Sequence, residues 1–440
     1  MSGLSRKIRN LMVAICLVPS LAIAGPLPTP DAEFPDLDMR SVRLGQQLFY
    51  DPILSGNRDV SCATCHHPRF GTSDGVSLGI GDGGIGLGPD RRFDPDNPPE
   101  QRIPRNAPAL FNLGATEFTR FFHDGRLEQD NTRPSGIRTP LGGEMEKGFK
   151  SALAAQAMFP VLSGDEMAGH YSESDVAQAV RQGFLTGEGG AWAILTARVT
   201  AIPDYGLAFE GLKSSSDPVV FADIANVIAD FIAFEWRADQ SLFDLYLRGE
   251  NTMPEQAIAG MELFYGKAEC DTCHSGIFQT DQQYHAIAMP QIGPGKAARF
   301  ERHNRDIGRM RVTGDPDDAY RFRTPSLRNV TETAPYGHSG AYRSLETVVR
   351  HHLDPVAALK AYDVSQAILP GQPFETDDAL MTIPEEVAAI ADANELAPVM
   401  LSDQEVQDIL SFLAALSDPV AVVGRLGVPV TVPSGLPVDQ

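Results

Sequence analysis

Two short runs of this chain carry the same chemistry, Cys62-Ala63-Thr64-Cys65-His66 and Cys270-Asp271-Thr272-Cys273-His274. Each is C-x-x-C-H, the attachment signature of c-type haem. Two thiols three residues apart can each add to one vinyl group of a single porphyrin, and the next residue then sets its imidazole under the iron. Of the five cysteines, only Cys16 lies outside these runs. Two disulfides are an alternative, but a C-x-x-C bridge is usually redox-active rather than structural. A zinc site with four thiolates needs both pairs in one place, and about two hundred residues separate them. Neither alternative explains a histidine directly after both pairs. The motifs read as two covalently bound haem c groups, attached at Cys62, Cys65, Cys270 and Cys273. His66 and His274 are then the proximal iron ligands.

At 440 residues the chain is long enough for two or three domains with sizeable cores. Apolar residues make up 42% and charged residues 21%, which excludes wholesale disorder. The formal charge of −22 makes nucleic acid and anionic lipid poor partners, because counterion release needs basic patches. The one long apolar run is N-terminal. Arg6, Lys7 and Arg9 precede it, and Ala22-Ile23-Ala24 ends it as a small-x-small cleavage site. Residues 1–24 read as a secretory signal, with a single membrane anchor as the competing reading. Export agrees with haem c, which is attached outside the cytoplasm, so a periplasmic location is expected.

A weak internal repeat precedes the motifs, Gly45-Gln46-Gln47-Leu48-Phe49-Tyr50 before the first and Gly260-Met261-Glu262-Leu263-Phe264-Tyr265 before the second. An amphipathic helix running into C-x-x-C-H is how a small cytochrome c domain begins. The expected fold is mainly α, with two cytochrome c-like haem domains and long loops. The expected divisions are a signal at 1–24, an N-terminal haem domain at 25–245, a C-terminal one at 246–420 and a tail at 421–440. Residues 219–247 have helical periodicity. Ser402 and Glu405 form a capping box before Ile409, Leu410, Leu413 and Leu416. Pro419 is expected to stop that helix, leaving an extended strap. Eight glycines between Gly71 and Gly88 mark a loop over 71–104. Its G-x-G-x-x-G match at Gly79–Gly84 is discounted as a dinucleotide site, because no strand precedes it and Pro89 stands where a helix should open.

Further landmarks run through the chain: Arg105-Asn106-Ala107-Pro108, Phe122-His123-Asp124-Gly125-Arg126 and Gly143-Glu144-Met145 in the first half. Thr324-Pro325-Ser326-Leu327-Arg328-Asn329, Ala334-Pro335-Tyr336-Gly337-His338-Ser339-Gly340 and Leu345–His352 follow in the second. In this order, with two haem motifs, the chain resembles the bacterial di-haem cytochrome c peroxidases and their MauG-type relatives over roughly residues 38–418.

The resemblance implies a division of labour in which an N-terminal haem meets peroxide and a C-terminal haem feeds it electrons. Glu144 stands where the family places its distal carboxylate. As the catalytic residue, beside an apolar haem face, it is expected to lose solvation and shuttle a proton near neutral pH. Many relatives carry a distal histidine in the Gly-rich loop, where this chain has Ile80. That departure implies an open sixth position on the first iron, as in MauG. His123 replaces a tryptophan of the F-W-D-G-R motif, with packing the expected role. Neither Trp192 nor Trp236 lies where the family carries its inter-haem tryptophan. Counting from Leu345, the family's distal ligand of the second haem falls on His352, which implies bis-histidine ligation and a lower potential than His/Met. Neighbouring His351 is the lesser candidate. A calcium ion between the domains is implied through Asn106, with carbonyls near Arg323 and Pro325.

The function expected is a peroxidase reducing hydrogen peroxide to water, with electrons entering through the C-terminal haem. The alternative is a MauG-like enzyme using high-valent iron to oxidise a protein side chain or a small organic molecule. A plain electron carrier is disfavoured by Glu144 and by the ligand-poor stretch after His67. The partners implied are hydrogen peroxide and a small electron-donor protein, a c-type cytochrome or cupredoxin. A homodimer is allowed.

Overall fold

The internal repeat falls at two equivalent helix crossings. The helix Met39–Tyr50 packs against Phe221–Glu235, and the helix Glu255–Phe264 packs against Asp403–Ala415. The repeat glycines sit where the paired backbones come closest. A Cβ on Gly45 would overlap the Val227 carbonyl oxygen, and one on Gly260 the Asp408 carbonyl oxygen. Only a residue without a side chain admits that approach. The repeat phenylalanines then anchor matching aromatic nests. Phe49 lies 5.3 Å from Phe231 and 5.1 Å from Trp236, and Phe264 lies 5.2 Å from Phe412, between ring centres. Tilted and edge-on contacts of this kind suit the ring quadrupoles.

The computed structural model describes residues 25–170, 173–213, 216–296, 301 and 303–440. The signal read at residues 1–24 lies outside them. The described chain is mainly helical with few strands. Three small antiparallel sheets occur among the described residues: Gly84–Ile85 with Arg92–Phe93; Arg120–Phe121, Leu127–Gln129 and Ile137–Arg138; and Tyr284–His285 with Phe322–Arg323. One apolar core gathers Leu48, Phe49, Trp192, Phe231 and Trp236. Another gathers Phe243, Phe264, Tyr265, Phe412 and Leu416.

Buried ion pairs join the segments that carry these cores. Arg105 meets Asp124 at 2.7 Å and Asp306 at 2.6 Å, and Arg102 meets Asp377 at 2.8 Å. Charges this far from water persist only when paired.

The Ser402 capping box forms as expected, with the Ser402 amide donating to the Glu405 carboxylate at 2.7 Å. Pro419 behaves differently from expectation. The long helix has already ended at Ala415, and Pro419 opens a further short helix, Pro419–Val423, capped by the Asp418 side chain. A proline loses nothing in a first turn, where its N–H would have no helical partner. Beyond Gly424 the tail has no regular structure and returns to the first core. Glu235 accepts from the Leu426 and Gly427 amides at 2.7 and 2.8 Å, and Thr64 donates to Asp439 at 2.7 Å.

Candidate functional site

The two C-x-x-C-H runs adopt different local forms and reach the same histidine geometry. Cys62–Cys65 is a short α-helix closed at its N-terminus by Ser61 and Thr64, whereas Cys270–Thr272 is a single 3₁₀ turn. In the first, the His66 amide donates to the Cys62 carbonyl at 2.9 Å and the ring Nδ1 meets the Thr72 carbonyl at 3.0 Å. In the second, the His274 amide donates to the Cys270 carbonyl at 2.9 Å and Nδ1 meets the Gln279 carbonyl at 3.0 Å. An Nδ1–H held by a carbonyl fixes tautomer and ring orientation and leaves Nε2 for a metal. Burial lowers the pKa of both imidazoles, that of His274 to about 4 with His352 contributing, so both are neutral, as ligands must be. Among the described residues, Cys62, Cys65, Cys270 and Cys273 form no disulfide.

The structure brings His352 to His274. Their ring centres are 6.4 Å apart, inclined at 58°. An iron bonded at about 2 Å to one nitrogen of each ring sets two axial imidazole centres about 6 Å apart, so the spacing fits a six-coordinate haem iron. His352 stands in the helix Leu345–Leu353, and its Nδ1 meets the Val348 carbonyl one turn back at 2.7 Å. His351 is committed elsewhere. Its Nδ1 lies 2.9 Å from the Tyr342 hydroxyl and its Nε2 2.7 Å from the Ile287 carbonyl. Burial, with His352 nearby, lowers its pKa to about 4. A neutral ring with both nitrogens engaged has none left for a metal.

Around the first motif, Leu78 and Ile80 of the Gly-rich loop are buried apolar residues. His123 has the bonds of a packing residue. Its Nε2 lies 3.0 Å from the Asn106 carbonyl, its own carbonyl accepts from the Arg323 amide at 2.8 Å, and burial, helped by Arg105, lowers its pKa to about 4. Asn106 is buried, its amide donates to the His338 carbonyl at 2.9 Å, and its side-chain Nδ2 donates to the Val76 carbonyl at 2.8 Å. The Asn106 and Arg323 backbones thus both bond His123. Trp192 and Trp236 are fully buried in the first core. Glu144 ends the Gly142–Glu144 turn, exposed and without a side-chain hydrogen bond or ion pair among the described residues. The loss of solvation expected for it has no source in the protein chain itself. The neighbouring Met145 is buried, and Glu146, half-buried, has its carboxyl raised by that burial.

The polar junction around Arg105 has no signal in the local sequence. Burial alone would raise the Asp124 carboxyl, but Arg105 and Arg126 hold it far below the usual range. Asp306, likewise buried, is held at about 2 by Arg105. His338 stacks on Phe322 with ring centres 3.7 Å apart. Arg105, Asp124 and His338 each stand in a recognised landmark, whereas Asp306 stands in none, so only the folded chain reveals their union.

Comparison with known proteins agrees with this architecture. A family model described as di-haem cytochrome c peroxidase matches residues 39–252. The methylamine utilization protein MauG of Methylorubrum extorquens is 29% identical over 330 residues, covering 74% of this chain and 72% of that protein. The cytochrome c551 peroxidase of Pseudomonas aeruginosa is 30% identical over 308 residues, covering 70% and 69%. A solved structure of a MauG-like protein associated with microbial copper homeostasis superposes with a TM-score of 0.59 at 24% identity, over 93% of this chain and 97% of that one. Among the described residues, no helix is long and apolar enough to cross a membrane.

Proposed function

This chain belongs to the family of di-haem cytochrome c peroxidases and MauG, oxidoreductases with two c-type haems, and from that premise we propose that it reduces hydrogen peroxide in the periplasm. The net reaction joins one peroxide, two electrons and two protons to give two waters. In this reading residues 25–245 and 246–420 are the two haem domains, and 421–440 is the tail that braces the first. The electrons come from a small c-type cytochrome or cupredoxin, one at a time.

The observation that carries the proposal is the matched placement of His66 and His274, with His352 brought beside His274. When bound, the haems supply one-electron redox chemistry and an iron position at which peroxide is cleaved. His274 and His352 would hold one haem from both sides, which suits electron transfer without substrate binding. His66, oriented by Thr72, would hold the other from one side. Glu144 would take the proton from the inner peroxide oxygen and deliver it to the outer one. Its exposed turn keeps it in proton exchange with water. A calcium held by the Asn106 side-chain oxygen and the carbonyls of Arg323 and Pro325 would brace the junction. The shared bonding of Asn106 and Arg323 to His123 supports that placement.

A second reading, oxidation of a protein side chain or small organic molecule as in MauG, is favoured by Ile80, buried in the loop where many relatives place a distal histidine. Steady-state turnover with peroxide and a panel of reduced c-type cytochromes and cupredoxins separates the two. Saturable donor oxidation at two donor molecules per peroxide supports the peroxidase. Peroxide consumption that no donor accelerates favours the second reading.

A further inference from the structure

Asn57, Asp82, His170 and Glu173 come together from three separate segments, outside both haem motifs. His170 Nδ1 lies 3.4 Å from Asp82 Oδ2 and 3.5 Å from Glu173 Oε1. One ligand atom from each of Asp82, His170 and Glu173 lies within 4.8 Å of the other two. The Asp82 side chain has no exposed surface and that of His170 only a tenth. We propose that Asp82, His170 and Glu173 bind a divalent transition-metal ion of the zinc type, distinct from the haem irons and from any calcium at Asn106.

The spacing argues for an ion rather than hydrogen bonds. An N–H···O bond brings its atoms to about 2.9 Å, shorter than either contact. Ligands bonded at about 2.0–2.1 Å around a tetrahedral ion stand about 3.4 Å apart. The spare carboxylate oxygens are already engaged. One amide, Asn57 Nδ2, donates to Asp82 Oδ1 at 2.9 Å and to Glu173 Oε2 at 2.7 Å. The His170 amide adds a second bond to Glu173 Oε2 at 2.9 Å. Outer bonds of this kind orient metal-binding carboxylates. The inner oxygen, Asp82 Oδ2, is buried and has no hydrogen-bond partner among the described residues. Buried polar atoms are seldom left so. The backbone is shaped to this cluster too. Gly169 has φ +86°, and a Cβ there would press on both the Glu173 carboxylate and the Asn57 amide.

The donor set selects the ion. One imidazole with two carboxylates suits zinc and its first-row neighbours, whereas calcium takes six to eight oxygens. Asp82 belongs to the Gly-rich loop of the first half, and its amide donates to the Glu166 carbonyl at 3.0 Å. An ion here would clamp that loop to His170 and Glu173.

The test uses the full-length di-haem protein, stripped with a chelator and dialysed against micromolar zinc. Mass-spectrometric metal analysis should give one zinc per chain beside two irons. Zinc affinity should fall at least tenfold in Glu173→Gln and His170→Ala, and about 10–100-fold in Asn57→Ala. His285→Ala, at a separate site where the ring meets Asp281 at 2.9 Å and Glu395 at 3.3 Å, should leave it unchanged. Glu173→Gln guards against misfolding, because that side chain is partly exposed and its haem spectra should match wild type. No zinc on the wild-type protein, or equal zinc on wild type and Glu173→Gln, overturns the proposal. Its outcome does not depend on peroxidase activity.

Discussion

His274 and His352 hold their imidazole centres 6.4 Å apart, while His351, next in sequence to His352, is locked between the Tyr342 hydroxyl and the Ile287 carbonyl. Adjacent helical residues point about 100° apart, so one of the pair meets the second motif and the other enters the core.

His352→Ala should therefore convert one low-spin haem to high-spin and leave covalent haem content unchanged. His351→Ala should leave the spin state alone and lower the melting temperature, because Tyr342 and Ile287 lose a buried partner. Electron paramagnetic resonance of the ferric proteins distinguishes the two. A spin change in His351→Ala alone would reverse the assignment.

Two covalent haems are expected per chain. Pyridine haemochrome quantitation against protein mass should give a ratio of two, and Cys270→Ala with Cys273→Ala should halve it. In the wild type one haem should be high-spin, since among the described residues no second imidazole is seen paired with His66 as His352 is with His274. Haem extractable by acid acetone would contradict covalent attachment.

Glu144→Gln should slow peroxide cleavage by about 10²–10⁴-fold, the usual loss for a positioned acid–base group. Because Glu144 is exposed and has no side-chain partner among the described residues, melting temperature and haem spectra should not move. Wild-type turnover in this variant would shift the proton-transfer role to another group.

Acid should loosen the junction around Arg105. A carboxylate whose folded pKa lies below its unfolded one adds stability above the unfolded value and loses it as pH falls through the folded value. For Asp306 that window runs from its ordinary 3.8 down to about 2, worth about 2 kcal/mol. Asp124, held lower still, shares the sign. Thermal unfolding followed from pH 5 to pH 2.5 should show a steeper loss in wild type than in Asp306→Asn. Parallel curves would remove Asp306 from the acid response.

Gly260→Ala should cost about 1–3 kcal/mol, because its Cβ meets backbone that cannot yield. Gly211→Ala, in the helix Pro203–Leu212 with open space around it, should instead stabilise by about 0.5–1 kcal/mol. Denaturant midpoints report both. A neutral Gly260→Ala would mean that the helix crossing is slack.

The two C-x-x-C-H motifs, the repeat before each, the capped helix at Ser402 and the mainly helical class were legible in the amino-acid order, because each rests on spacings of a few residues. C-x-x-C-H is complete within five positions, and a capping box within four. Tertiary structure alone decided the relationships between distant segments. Gly45 and Gly260 read as repeat residues, but only the crossings with Val227 and Asp408 explain why nothing larger fits. The count from Leu345 favours His352 over its neighbour, but only the fold shows Tyr342 and Ile287 claiming His351. Asp306 joins Arg105 and Asp124, and Asn57 gathers Asp82 with Glu173, through contacts no local pattern encodes. Local spacing fixes what a few bonds of chain can reach, whereas burial and pairing depend on which surfaces the whole chain folds against one another.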